Sequence, residues 1–364
     1  MIKHSARRIL RRRLKGLVAS ALTFSHAYDL LFRYQPNTAR VLMYHRVKPP
    51  LEGDSSGQHP GLPHRHFILQ IQYIKTRMTP ISLGELTQRI AAGRPLPPRA
   101  IAVTFDDGYE DNYTNAYPVL KQYGVPATIF LISGFVGSST HLWWDRLWDI
   151  LHAAPEPEFD AAPLLHHLGL DRPISPVFSL RTPTARSAAA ARLSALFTTL
   201  SNHQVEHGIN LLHQHLSVSP RDIAPSQHRP LRWEQIREMS LNGIHFGAHT
   251  VHHPNLTTLR EPLELSKEIL ESKRTIEQYL ATPVTGFVYP YGLRQHYNSS
   301  VMKAVAAAGL TYACTAEPGL VTPRTDLYQI PRISAPDVPL PLFLWNLSKM
   351  PIGRALRGPS GQLL

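Results

Sequence analysis

The chain has 364 residues, of which 43% are hydrophobic and 9% aromatic, enough for a sizeable core in one large domain or two ordinary ones. Its single cysteine, Cys314, excludes an internal disulfide and a cysteine-rich zinc module, and its 32 prolines point to many loops. The net charge of +12 (His neutral) is concentrated at the start, and the absence of any aromatic-interleaved basic surface elsewhere argues against a specific nucleic-acid partner.

Residues 1–15 carry Lys3, Arg7, Arg8, Arg11, Arg12, Arg13 and Lys15, with Ile2, Ile9, Leu10, Leu14 and Leu17 interleaved at helical spacing. This reads as a basic amphipathic helix suited to an anionic membrane surface or an acidic partner. The apolar run Leu17–Phe24 is too short to span a bilayer, and Ser25-His26-Ala27 is a weak cleavage site. The expected placement is therefore cytoplasmic, with peripheral contact at the inner membrane face through residues 1–30, ahead of export.

Residues 40–47 read as a buried strand, followed by a Gly/Pro/His-rich loop to about residue 65 and a helix marked by Phe67, Ile68, Ile71 and Ile74. Ser82-Leu83-Gly84-Glu85 is a capping box opening a second helix that stops near Gly93. Ala102-Val103-Thr104-Phe105 is a strand running into Asp106-Asp107-Gly108, and a helix is expected from Asn112 to Tyr123, then a strand from Pro126 to Ile132. Between about residues 140 and 230 the character changes: an amphipathic segment at Trp143–Trp148, a loop-like Pro155–Pro183 and an alanine-rich helix at Ala185–Leu200 suggest an insertion. Alternation resumes with helices at 233–242, 262–280 and 299–308 and strands at 244–248, 284–289, 310–315 and 327–333. Short strands separated by helices indicate parallel βα units, and six or seven of them suit a (β/α) barrel, complete or incomplete, better than two unrelated domains; in barrels the chemistry sits at the C-terminal strand ends. The expected division is an arm over 1–38, a barrel over 39–340 carrying the insertion, and a tail over 341–364.

Asp106 and Asp107 occupy such a strand end. Asp-Asp-Gly is also a common turn, so the pair alone leaves both readings open. His249-Thr250-Val251-His252-His253 follows the strand at 244–248, and one turn of helix would put His249 and His253 on one side. Together with Asp107 they form a three-ligand set for a divalent metal, which leaves Asp106 free as a base. Tyr289-Pro290-Tyr291-Gly292 is a third strand end: either a plain tight turn or a groove wall, with Tyr291 offering a backbone N–H to an oxyanion and a ring to a sugar face.

Taken in order, Thr104-Phe105-Asp106-Asp107-Gly108, His249-Thr250-x-x-His253 and Tyr289-Pro290-Tyr291-Gly292 resemble the leading motifs of the NodB-type polysaccharide deacetylases, carbohydrate esterase family 4. The resemblance covers roughly residues 40–335 less the insertion and implies a distorted (β/α)7 barrel. It further implies Asp106 as catalytic base, Asp107, His249 and His253 as ligands of a divalent metal with Zn2+ foremost, and Tyr289, Pro290 and Tyr291 at the substrate. The implied reaction is hydrolysis of an N-acetyl group on an amino sugar of an acetylated polysaccharide, oligosaccharide or precursor. A water deprotonated by Asp106 attacks the acetamide carbonyl, and the Tyr291 N–H helps to stabilise the oxyanion.

The chain departs from the family pattern twice. Val288 stands where many members carry an arginine that orients the base, and Arg332 is the candidate substitute, with an ordinary surface arginine as the alternative. No histidine follows His296, so the usual acid is missing, and His45 at the first strand end is the candidate replacement. Two other functions remain at this stage: an O-acetyl esterase on the same site, and a non-catalytic, membrane-associated carbohydrate-binding protein.

Overall fold

The computed structural model describes residues 16, 18–21, 28, 32, 35–49, 61–170, 177–218, 228–335 and 337–348. The basic helix expected at the N-terminus and the tail beyond Ser348 lie outside these residues.

The barrel is built from β1 (Ala39–Tyr44), β2 (Thr79–Pro80), β3 (Ala100–Phe105), β4 (Ala127–Leu131), β7 (Ile244–Ala248), β8 (Gly286–Val288), β9 (Tyr312–Cys314) and β10 (Ile333–Ser334), with β5 and β6 lying outside it. Its order is β10-β1-β3-β4-β7-β8-β9, every pairing parallel, with short β2 beside β3. The sheet curls back on itself through one segment: Ile330 bridges Cys314 of β9, and three residues on Ile333 pairs with Leu42 of β1.

Strand alternation sorts the side chains. Ala39, Val41, Ala100 and Ala102 share one cluster with Phe130, Val288, Tyr312 and Cys314 inside the barrel. Leu42, Tyr44, Ile101, Val103 and Phe105 meet helix α1 (His64–Arg77) on the outside through Phe67, Ile71 and Ile74. The interior is filled by large rings placed against missing side chains. A Cβ on Gly247 would lie 2.4 Å from the Phe130 ring, and one on Gly286 would lie 2.4 Å from Tyr312. Helix α2 (Leu83–Ala91) opens on the expected Ser82 cap, whose hydroxyl accepts from the Glu85 N–H. No helix among the described residues is long and apolar enough to cross a membrane.

Several elements differ from the sequence expectation. The helix expected from Asn112 begins as a π-helical turn, Asn112–Ala116, and becomes α3 only at Tyr117–Tyr123. Pro118 lacks the donor that the regular ladder needs there, and the Asn112 and Asn115 amides are drawn to the carbonyls of His45 and Val47. The strand expected over 327–333 is reduced to Ile333–Ser334, because Pro331 cannot donate and the Arg332 N–H turns off the ladder to Glu317 O. The tail expected from residue 341 is, as far as Ser348, helix α11 (Leu340–Ser348), with Phe343, Leu344 and Leu347 in the barrel's outer core. Within the arm, Tyr28 and Phe32 also join that core, with the Arg40 guanidinium over the Phe32 ring.

The insertion forms a lobe with its own core. Helix α4 (Trp143–Ala153) is followed by strand β5 (Glu158–Asp160), helix α5 (Ala162–His167) and strand β6 (Val177–Ser179). Thus the expected loop holds an antiparallel β5–β6 pair closed by Phe159 and Phe178. Helix α6 (Pro183–Phe197) and an unforeseen helix α7 (Asn202–His215), opened by a Ser201–Gln204 capping box, complete the lobe. Leu147, Ile150, Leu193, Phe197, Ile209 and Leu212 are fully buried in it. Between the lobe and β8 run helix α8 (Trp233–Ser240) and helix α9 (Pro262–Leu280), and helix α10 (Ser299–Ala307) precedes β9.

Candidate metal centre

Three loops at the C-terminal ends of β3, β7 and β8 converge on one cleft beneath the lobe. It encloses about 340 Å3, with Asp106, Asp107, His249, His253 and Tyr291 on the barrel side and Trp143, Trp144 and Ser194 on the lobe side.

The β3 loop separates two adjacent carboxylates. Asp106 still follows the strand, its N–H donating to Tyr44 O, whereas Asp107 has φ of 75° and sits at the centre of a three-residue turn closed by Gly108 N–H to Asp106 O. The side chains part accordingly. Asp106 is gripped by Arg332, with Nη1 donating to Oδ1 and Nη2 to Oδ2, each at 2.7 Å. Arg332, itself only 1% exposed, is fixed from behind by Nε donating to Thr315 O and Nη1 to Thr104 Oγ1. Burial alone would raise the Asp106 carboxyl, but the charge and hydrogen bonds of Arg332 outweigh it and hold the group below the usual carboxylate range. Asp107 has no such clamp. Burial, then the negative charges of Asp106 and Asp145, push it well above that range. A buried carboxylate in this setting is one that a cation would stabilise.

His249 and His253 supply the rest of the set, though not from one helical turn as expected. The segment after β7 is non-helical, with Thr250 at φ 66° and His253 at φ 56°. The His253 N–H donates to Thr250 Oγ1, and this tight loop folds both rings inward until their Nε2 atoms stand 3.1 Å apart. The His249 Nδ1 is 2.8 Å from Val288 O, which places its proton there and directs the Nε2 lone pair at His253 and at Asp107 Oδ1, 3.6 Å away. Burial lowers His249 to about 4 and His253 well below the usual imidazole range, so both imidazoles are neutral at neutral pH. One donor atom from each of Asp107, His249 and His253 lies within 4.8 Å of the others, the only such cluster found among the described residues. Two neutral imidazoles and a carboxylate are a set that fits a divalent ion.

Of the remaining sequence candidates, Tyr291 is at the cleft. Its φ is 61° and Gly292 N–H donates to Pro290 O across it, the same turn as at Asp107. The Tyr291 ring packs edge-on against His253 at 4.7 Å, and its hydroxyl accepts from Trp143 Nε1. No acceptor for the Tyr291 N–H is found among the described residues. His45 is about half exposed, with Nε2 4.0 Å from Asp106 Oδ2. Arg332, beside the last strand, is the residue that reaches Asp106, as the expected substitute for an arginine at Val288. Tyr289 also lines the cleft, although its hydroxyl is committed to Tyr328 O and its ring stacks on Tyr297. Pro290 serves differently from expectation, shaping the turn without lining the cavity.

The sequence reading did not include the lobe's contribution. Trp144 Nε1 donates to the Tyr109 hydroxyl, which donates to the fully buried Asp145, and the Trp144 ring meets His253 edge-on at 4.8 Å. The available signal was the Trp143-Trp144-Asp145 run itself, with two large apolar rings beside a charge.

A family model described as polysaccharide deacetylase matches residues 93–156 and 188–313. The chain is 25% identical over 311 residues to the poly-beta-1,6-N-acetyl-D-glucosamine N-deacetylase of Staphylococcus epidermidis, covering 83% of this chain and 80% of that protein. Two solved structures share the fold. The Streptococcus pyogenes deacetylase PplD in complex with acetate superposes with a TM-score of 0.55 at 19% identity, covering 86% of this chain and all of that one. IcaB from Ammonifex degensii gives 0.55 at 18% identity, over 86% and 97% of the two chains.

Proposed function

Because the chain belongs to the polysaccharide deacetylase family, we propose that it hydrolyses N-acetyl groups on the amino sugars of an exopolysaccharide, with Asp106 as base and Asp107, His249 and His253 as the ligands of a divalent metal. The observation that carries this reading is the separation of the paired carboxylates, one held ionised by Arg332 and the other facing two neutral imidazoles. The similarity to the staphylococcal N-deacetylase favours a poly-N-acetylglucosamine substrate and an amide over an ester. Zn2+ is the natural first choice for two imidazoles and a carboxylate.

When bound, the cation supplies Lewis-acid polarisation of the acetamide carbonyl and acidifies water. The protein's own groups do the rest. Arg332 keeps Asp106 deprotonated and fixes the direction of its free lone pairs into the cleft, so that it can take a proton from the attacking water. The Tyr291 N–H, presented by its left-handed turn, is the donor for the oxyanion. His45, half exposed beside Asp106, is placed to return a proton to the leaving amine. Trp143, Trp144 and Tyr291 wall the cleft with apolar surface and exclude bulk water from the reacting carbonyl.

The reading is tested by metal content and acetate release together. Wild type should bind one zinc and release acetate from N-acetylated β-1,6-linked glucosamine oligosaccharides. His249→Ala should lose the metal, and Asp106→Asn should keep it while losing on the order of 10²–10⁴ in rate. Equal metal in wild type and His249→Ala refutes the site, and acetate released only from O-acetylated sugars refutes the N-deacetylase assignment.

A further inference from the structure

The loop that carries His249 and His253 is held on two sides. Its carbonyls face the end of β4: the Ser133 N–H donates to Thr250 O and the Gly134 N–H to Val251 O, and a Cβ on Gly134 would stand only 2.7 Å from that Val251 oxygen. Its N–H groups face the other way. Those of Val251 and His252 both donate to Oε2 of Glu268, each at 2.9 Å, and the second carboxylate oxygen, Oε1, is 2.7 Å from His252 Nδ1. Two successive N–H groups converge on one anionic oxygen because Thr250, just before them, is left-handed. Glu268 does not line the reaction cleft. It sits on α9 between Leu265 and Ile269, which are packed in the barrel's outer core, and its side chain is only 14% exposed. The carboxylate is therefore offered to the loop from a fixed helix.

We propose that Glu268 is a positioning residue: its carboxylate holds the turn over residues 250–253 in the left-handed form that brings the two imidazoles together for a metal. The inference rests on the reading of Asp107, His249 and His253 as metal ligands. Hydrogen bonds to an ionised acceptor are roughly twice as strong as neutral ones, and left-handed conformations at threonine and histidine persist only where the surroundings impose them. Without the carboxylate the two N–H groups turn to water. The turn then relaxes towards conformations in which the Nε2 atoms no longer stand 3.1 Å apart. Glu277, further along the same helix, provides the comparison. It also accepts a backbone N–H, that of Val284 at 2.9 Å, and pairs with Lys273 at 2.7 Å, but it has no part in the cleft.

The test measures the zinc dissociation constant by competition with a chromophoric chelator. Glu268→Ala should raise it on the order of 10–100-fold. Glu268→Gln, whose amide oxygen can still accept from both N–H groups, should recover most of that loss. Glu277→Ala removes a comparable carboxylate from the same helix and should leave the constant at its wild-type value. An unchanged constant in Glu268→Ala overturns the proposal, and so does an equal weakening in Glu277→Ala, which would mark a general loss of structure. Should the alanine variant not fold, Glu268→Asp, which withdraws the carboxylate by one methylene, is read with the same expected sign. If wild type binds no zinc, the metal reading fails by itself. The role of Glu268 is then judged on the metal-free proteins by amide exchange at His253, whose N–H is held by Thr250 Oγ1. Faster exchange in Glu268→Ala than in wild type and Glu277→Ala supports the role, and equal exchange overturns it.

Discussion

Replacing Arg332 by methionine isolates what the guanidinium does for Asp106. The side chain makes four hydrogen bonds in a site with almost no solvent: two to the Asp106 carboxylate, one to Thr104 Oγ1 and one to Thr315 O. Methionine keeps most of the volume and removes every donor, so Asp106 is left as an unpaired buried carboxylate. Breaking one side of a buried pair costs about 3–5 kcal/mol, against a typical domain stability of about 5–15 kcal/mol. Urea unfolding of the chelator-treated proteins at pH 7 measures this without metal linkage. The double variant Asp106→Asn/Arg332→Met should recover at least half of the loss while remaining inactive, since a neutral amide is far less costly to bury than a charge. The pH dependence has a definite sign. In the wild type the Asp106 pKa lies below its reference of 3.8, so its contribution is complete above that value and lost as pH falls through the folded pKa. Without Arg332, burial raises the same pKa, and the penalty grows as pH climbs above 3.8. The gap between wild type and Arg332→Met should therefore narrow as pH is lowered from 7 towards 4. A loss below about 1 kcal/mol at pH 7, or a gap that widens on acidification, would refute the account of Arg332 as the group that keeps Asp106 ionised.

Gly247→Ala sets a methyl 2.4 Å from the Phe130 ring inside the barrel, and overpacking of this kind costs about 1–3 kcal/mol. The melting temperature should fall, Phe130→Leu in the same chain should restore part of it, and an unchanged value would show that the ring moves freely. Cys314 is fully buried between β8 and the Ile330 bridge, and burial pushes its thiol up to about 12. An aromatic disulfide reagent should leave the native protein unmodified and titrate one thiol in urea. Rapid reaction without denaturant would contradict the burial of this strand.

The parallel barrel was legible because its strands are short, apolar and regularly spaced, and because a buried parallel strand needs little besides such runs. Helix α9 matches its expected span, Pro262–Leu280, for a similar reason: a proline opens it and its buried residues Leu265, Ile269, Ser272 and Ile276 repeat at helical spacing. What escaped was structure set by tertiary pairing. The β5–β6 strands are three residues long, too short for alternation to show, and they exist because Phe159 and Phe178 close one side of the lobe. Helix α11 carries no charged residue, so no polar face marked it off from an irregular tail. The site residues were visible as ligand types, but Trp144 and Asp145 had no meaning until the lobe placed them against His253 and Tyr109.

The backbone conformation of the site was the least legible feature, and it explains why the helical expectation for His249 and His253 failed. Two histidines four apart on a helix have Cβ atoms about 5–6 Å apart and can share a metal from one face. Here Thr250 and His253 adopt left-handed conformations instead, which turns the loop concave and brings the imidazole nitrogens to 3.1 Å. Asp107 and Tyr291 have positive φ as well, so four of the eight non-glycine residues with positive φ among those described belong to this one cleft. Such conformations are unfavourable by about 1–3 kcal/mol each for residues like Thr, His and Tyr. A sequence pattern records which donors are present but not the strained turns that aim them. Those turns persist because the surroundings hold them: Thr250 Oγ1 caps the His253 N–H, Ala316 packs under Gly292, and Arg332 anchors the strand end from which Asp107 turns away. The geometry of the cleft is thus held by groups outside the set Asp107, His249 and His253, and Thr250→Val, which removes the cap without touching any of the three, should loosen the metal binding proposed for them while leaving all three donors in place.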